Sequence, residues 1–221
     1  MQASDLKQAK EFANLYGCKA IVFGGTGSGK TPVMNTCPRP VLLACEPGLL
    51  SLRGSTIPTF YAENGAKIEE FFKWFFNSNE TKNFDTLCVD SISFMADVYL
   101  QAAEKTIKHG LQAYGNMARS VMDHLRPLYY TKEKHTYLIC KEELVADQKR
   151  PYFPGQQLNK EVPGLYDFVL HLGIKNVPGT GQVKAFQCNE SYDVMARNRT
   201  GNLADYEPPN FSMLVQKAMT T

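Results

Sequence analysis

The sequence predicts an α/β fold, a twisted and mostly parallel sheet flanked by helices with an antiparallel extension at its C-terminal end. Three observations carry that expectation. Short apolar runs alternate with segments of helical spacing as far as "HTYLICK", the pattern of parallel strands joined by crossover helices. The first of those runs leads straight into "GGTGSGKT". Later, "YDFVLHLGIK" and "QVKAFQCNES" alternate and are joined around "NVPGTG", as the strands of a hairpin are.

The elements follow in order. Residues 4–16 place Leu6, Ala9, Phe12, Ala13 and Tyr16 on one face of an amphipathic helix. "KAIVFGG" (19–25) reads as a strand ending in glycine, and "PVLLACE" (40–46) as a second, entered through Pro38 and Pro40. "IPTFYAE" reads as a short strand. Residues 66–77 have helical spacing, with Phe72, Phe75 and Phe76 expected in the core and Phe71 and Trp74 at a subunit interface. "FDTLCVDS" (84–91) is a buried strand. Helices are expected over 92–108 and 116–130, and a strand over 135–141. From 142 to 164 the pattern stops, and Pro151, Pro154 and Pro163 mark a long loop, functional or disordered. "YDVMARNRTG" then closes the sheet and 210–219 forms a terminal helix. The chain reads as one domain over 1–221, with an N-terminal helix in 1–17 and a core over 18–215.

Composition bounds the function. The chain has 221 residues, 43% hydrophobic and 21% charged, an ordinary globular balance. A domain of this size buries roughly 70% of its unfolded surface and needs no disulfide or metal staple. Lys and Arg number 24 against 22 Asp and Glu, so the net charge of +2 neither demands nor forbids nucleic acid, and any basic surface must be local. No stretch is apolar enough for a membrane span, and the start lacks the apolar centre of a secretory signal. The six cysteines form no CxxC pair and read as reduced thiols. A cytoplasmic location without a membrane partner is the expectation. The four histidines are isolated, without metal-ligand spacing.

Gly24, Gly25, Thr26, Gly27, Ser28, Gly29, Lys30 and Thr31 fit GxxxxGK[ST] after an apolar strand, the context that motif requires. The glycines let backbone N–H groups turn in around phosphate oxygens, and a helix N-terminus after them adds positive potential. Lys30 would bridge β- and γ-phosphates of ATP, and the Thr31 hydroxyl would ligate Mg²⁺. The competing reading is a glycine-rich turn with a solvated lysine. A second acid is needed for the hydrated metal, and Asp90, after Leu87, Cys88 and Val89, sits at a strand end where it serves. It would otherwise cap the next helix. Asp85 precedes its strand and would lie at the wrong end of a parallel sheet. Glu46 ends the neighbouring strand. It either polarises an attacking water or simply opens the "EPG" turn.

This order of P-loop, strand ending in Glu, "VDS" strand, long loop and basic "RNRTG" resembles the RecA/RadA type of ATPase core. It is most similar to the short phage-encoded RecA-like proteins of single-strand annealing and recombination. "ACEPGLLSL" resembles the segment with the water-activating glutamate and "CVDS" the metal-binding segment. "YFPG", "VPGLYDFVLHL" and "ADYEPPNFSMLVQK" resemble later segments of the phage group. The resemblance implies that Arg197 and Arg199, at the cationic positions of a "KNRFG" segment, enter a neighbouring subunit's ATP site. Thr200 departs from the aromatic usual there. It implies a γ-phosphate sensor at Lys141 or Glu142, neither of which is the glutamine common in RecA. It also implies two DNA-facing loops, here 104–116 and 144–163. In the second, Lys149, Arg150, Tyr152 and Phe153 join charge to base-stacking rings, which suits single strands.

The function expected is therefore that of an ATP- and Mg²⁺-dependent, single-stranded-DNA-binding ATPase of recombination or annealing, working as a homo-oligomeric ring or filament. A P-loop kinase for a nucleoside or small molecule is one alternative. A non-hydrolytic, ATP-bound annealing or scaffold module is the other.

Overall fold

The computed structural model describes residues 6–177 and 179–220. Its centre is a row of six parallel strands. In spatial order these are β7 (Phe168–Val177), β1 (Lys19–Phe23), β5 (His135–Val145), β4 (Thr86–Asp90), β2 (Pro40–Ala44) and β3 (Thr59–Tyr61). The sheet continues antiparallel beyond β7 through β8 (Gly181–Gln187) and β10 (Tyr206–Glu207). Two further strands pair off this row. β6 (Gln148–Tyr152) runs against the outer half of β5, and β9 (Arg197–Asn198) against the start of β7.

Strand alternation builds a core on each face of the sheet. Ile21 and Phe23 of β1 join Val41, Leu43, Leu87 and Val89 on one face. That face is covered by α3 (Gly65–Asn77), α4 (Ile92–Thr106), α5 (Gly110–Tyr130) and α6 (Gln156–Leu165). Ala20 and Val22 face the other way with Leu42 and Ala44, under α2 (Lys30–Val33) and α7 (Phe211–Met219). Each large apolar side chain buried this way contributes about 1.5–3 kcal/mol. Side-chain caps start the helices. Asn64 accepts from Lys67 N, Ser91 from Phe94 N and Asn210 from Met213 N.

Several expectations change. The N-terminal helix shortens to α1 (Ala9–Ala13), and it buries no residue; residues 4 and 5 of the expected helix lie outside the described residues. Residue 178 of the "NVPGTG" turn lies outside them too. In α3 it is Phe71, with Phe72 and Phe75, that is buried, while Phe76 is exposed at the edge of the stripe. Trp74 is half-buried and donates Nε1–H to Glu80 Oε2 at 3.1 Å. Helix α5 begins at Gly110, well before residue 116. The largest change is over 142–164, where β5 runs on to Val145, turns, returns as β6 and is followed by α6. The turn is made by Ala146 and Asp147, both left-handed (φ 47° and 66°), a job usually given to Asn-Gly.

Parallel register brings the strand ends together. Phe23 of β1 lies level with Cys140 of β5 and His171 of β7, and Ala44 of β2 is level with Asp90 of β4. Gly24, Glu46, Asp90, Glu142 and Leu172 therefore gather at the carboxyl edge of the sheet, where open α/β sheets bind ligands.

Candidate active site

The segment from Gly24 to Gly29 turns tightly between β1 and α2. Gly27 and Gly29 are left-handed, with φ of 78° and 94°. At Gly24 a Cβ would stand 2.3 Å from the Leu172 carbonyl oxygen of β7, so a side chain there would push the loop off the sheet. Lys30 Nζ donates to the Gly24 and Gly25 carbonyls at 2.6 and 3.1 Å. Burial lowers its pKa, opposed first by Asp90 and then by Glu142. Helix α2 is a single turn continued by a 3-10 turn to Thr36, so the loop's own N–H groups, more than a helix dipole, supply the positive potential expected from the sequence.

Thr31 Oγ1 donates to Asp90 Oδ2 at 2.7 Å. Burial raises the Asp90 carboxyl to about 6, with the nearby Glu46 carboxylate adding to the rise and the Thr31 hydrogen bond and Lys30 opposing it. Ser91 caps α4, which leaves the Asp90 carboxylate free of capping. The rival acid Asp85 sits at the opposite sheet edge, in a bidentate pair with Arg39 that lowers its pKa. Glu46 is half-buried just past the end of β2, and the Cys45 N–H beside it donates to the Asp90 carbonyl at 2.7 Å.

At the sensor position the two neighbouring side chains diverge. Lys141 Nζ pairs with Asp97 Oδ2 of α4 at 2.9 Å and lies over the Phe94 ring, away from the phosphate loop. Glu142 faces the loop instead, 3.9 Å from where a Gly25 Cβ would be, and its Oε2 holds His171 Nε2 at 2.8 Å. Burial, then Lys175, lowers the His171 pKa to about 4, so the ring is neutral and donates from Nε2 to the carboxylate. The sequence reading missed this pair. The signal was a lone histidine inside the apolar strand "FVLHL", where a buried ring nitrogen needs a partner.

Arg197 and Arg199 lie at the other end of the sheet. β9 pairs with Phe168 and Val169, the first residues of β7. Arg197 donates to the Pro163 and Gly164 carbonyls at the end of α6. Arg199 is more tightly engaged, with Asp167 Oδ1 at 2.8 Å, Tyr129 Oη at 3.0 Å and the Gly164 carbonyl at 3.1 Å.

The four residues expected to form a nucleic-acid surface are scattered. Phe153 is fully buried, its backbone bracketed by Asn159, so it has no face for a base. Tyr152 is half-buried and its carbonyl accepts from Ser93 Oγ. Arg150 donates to Gln148 Oε1, while Lys149 lines the cleft beside the phosphate loop. Of the two segments, 104–116, which spans the end of α4, a short turn and the start of α5, is the more open, with Lys105, Lys108, Leu111 and Tyr114 exposed.

The residues present fit a nucleotide phosphate with its metal. Ser28 Oγ is buried without a partner in the loop, a donor left for an anion. Thr31 and Asp90 are hard oxygen donors of the kind Mg²⁺ takes.

A family described as an AAA domain matches residues 17–200. No curated protein matches the chain in sequence. Among solved structures, a KaiC-like protein from the hyperthermophilic archaeon Pyrococcus horikoshii is similar at a TM-score of 0.47 and 13% identity, over 77% of each chain. The family match takes in the phosphate loop, Glu46, Asp90 and the arginine pair. With that match and this sheet order, the chain belongs to the AAA-domain family and is a P-loop ATPase domain of RecA-like α/β fold.

Proposed function

We propose that the chain is a single-stranded-DNA-dependent ATPase of phage-type recombination or strand annealing, and that it works as an oligomer whose sites are completed by neighbouring copies. The observation that carries this reading is the separation of the arginine pair from the phosphate loop. Val169, level with Arg197, and Leu172, against Gly24, are three residues apart on β7, about 10 Å at the usual strand rise. Both guanidiniums are anchored to Pro163, Gly164 and Asp167, which precede β7. A second copy can present them where the first copy cannot.

Mg²⁺-ATP supplies an electrophilic γ-phosphorus when bound. The loop N–H groups and Lys30 hold the phosphate oxygens, and Thr31 and Asp90 hold the metal shell. Glu46 orients the attacking water and accepts its proton. A neighbour's Arg197 neutralises charge that develops on the transferring oxygens. DNA contact is assigned to the end of α4, the turn after it and the start of α5, where exposed Lys105 and Lys108 suit the backbone and Tyr114 offers a ring for stacking.

ATP turnover titrated with a single-stranded oligonucleotide at two protein concentrations tests the reading. Stimulation by DNA, with a rate rising more steeply than protein concentration, is expected. Turnover indifferent to both would overturn it and turn attention to a phosphate acceptor or an ATP-held scaffold.

A further inference from the structure

We propose that Lys184, reaching over from β8, is a second lysine of the phosphate site, acting within its own chain, with Lys149 of β6 lining the same cleft. The inference rests on reading the P-loop as a nucleotide site and extends that site to the two hairpins.

Register fixes the direction of the side chain. Lys184 lies opposite Ile174 on β7 and two residues before Phe186, which is buried on the α2 face of the sheet. Alternation places Lys184 on that same face, the one onto which the phosphate loop folds. Its Nζ stands 2.9 Å from where a Cβ on Gly29 would lie, so the ammonium rests on the loop's backbone. Among the described residues Lys184 makes no ion pair.

The surroundings explain what such a cation is for. A cleft of about 410 Å³ opens between the phosphate loop and the β5–β6 and β7–β8 hairpins. Gly25, Ser28, Glu142, Lys149, Gly173 and Lys184 line it. Its one carboxylate, Glu142, is already engaged by His171. Two ammonium groups, an unpartnered buried hydroxyl and the loop's N–H groups make a site for an anion with several charges. The polyphosphate of a nucleoside triphosphate has that chemistry. Lys30 reaches it from within the loop, and Lys184 closes over it from the hairpin.

Such a clamp makes affinity depend on phosphate count. Fluorescent analogues of ATP, ADP and AMP, titrated into the full chain at protein concentrations too low for assembly, read that dependence in wild type, K30A, K149A, K184A and K184R. We expect K184A to weaken ATP about tenfold or more, as loss of a charge-assisted hydrogen bond does, with a smaller effect on ADP and almost none on AMP. K184R should keep most of the affinity and K149A should lose less than K184A. Lys184 is exposed, and an unchanged melting temperature will show that K184A is folded. Wild-type ATP binding with K184A within twofold of it overturns the inference and leaves the ATPase reading standing. So does a K184A protein that loses only oligonucleotide binding, which would place Lys184 on the DNA surface. A wild type that binds no nucleotide removes the ATPase reading itself, and this inference with it.

Discussion

The Thr31 hydroxyl donates to Asp90 Oδ2 across 2.7 Å, joining the start of α2 to the end of β4. The two oxygen donors proposed for the metal therefore stand in contact across the sheet edge, and the Asp90 carboxyl, held near 6, takes up or gives up a proton within an accessible pH range. Asp90→Asn tests both consequences. Hydrolysis should fall at least a hundredfold, while the nucleotide-free protein should become more stable at pH 8. The carboxyl ordinarily ionises near 3.8, so its raised value means stability present below that pH is lost as pH rises through 6. Removing the buried charge should return about 1–3 kcal/mol, part of the penalty being repulsion from Glu46. Thermal denaturation at pH 3.5, 5 and 8 checks the sign: the variant's advantage should be smallest at the lowest pH, grow through pH 5 and be complete at pH 8.

Metal binding should show the same proton. Mg²⁺ must displace it below pH 6, so the Mg²⁺ concentration needed for half-maximal nucleotide binding should rise as pH drops from 6 to 5 and stay level between 7 and 8. A flat profile from 5 to 8 would remove Asp90 from the metal shell.

Glu46→Gln keeps the size of the side chain and loses the base. Turnover should fall by about 10²–10⁴, with ATP affinity within a few fold of wild type. Steady-state rates and equilibrium titrations on one preparation separate these two effects.

The two arginines should part company. Arg199 is tied to Asp167, Tyr129 and Gly164 at an exposed site, so Arg199→Ala should destabilise the chain by about 0.5–1 kcal/mol. Arg197 donates only to two carbonyls, and Arg197→Ala should leave the melting temperature nearly unchanged while cutting DNA-stimulated turnover. If Arg197→Ala retains full stimulated turnover, the neighbour's contribution does not come from this residue.

The two candidate DNA segments are separable as well. Phe153→Ala should cost about 3–5 kcal/mol of stability, the price of emptying a core position. Tyr114→Ala should weaken oligonucleotide binding by about five- to a hundredfold, as loss of one stacked base does. Its ring rests against Gly155, so a modest fall in melting temperature is also expected. Fluorescence anisotropy with a labelled single strand reads the binding.

Much of this was legible because it depends on short-range chemistry. Gly24 to Thr31 announces a phosphate loop by residue type alone, and Asp90 follows from its place at the end of an apolar run. The β5–β6 hairpin was hidden because Ala146 and Asp147 make its turn, and alanine gives no sign of a left-handed conformation. Pro151 inside β6 argued further against a strand; β6 pairs with β5 along its length, and its bridge to Val194 on the other side is made at Lys149, two residues before the proline. Whether Lys141 or Glu142 faces the loop was beyond the sequence, because the strand leaves the sheet there and Asp97 on α4 captures the lysine. Lys184 was hidden for a related reason. Its place over Gly29 depends on the register of a hairpin whose turn alone does not fix it.

Strand β5 is clamped along only half its length. Up to Cys140 it is held by β1, and by β4 as far as Leu138; past that point its strand partner is β6, whose Lys149 backbone is in turn tied to Asp193 and Met195. The outer half is five residues, about 17 Å long, tethered by Lys141 and Glu142 at its root and carrying exposed Leu144 and Val145 at its tip. A tilt of about 5° at the root moves that tip by roughly 1.5 Å at this length. A tilt at the root, beside the phosphate loop, is thus enlarged as displacement toward the exposed tip.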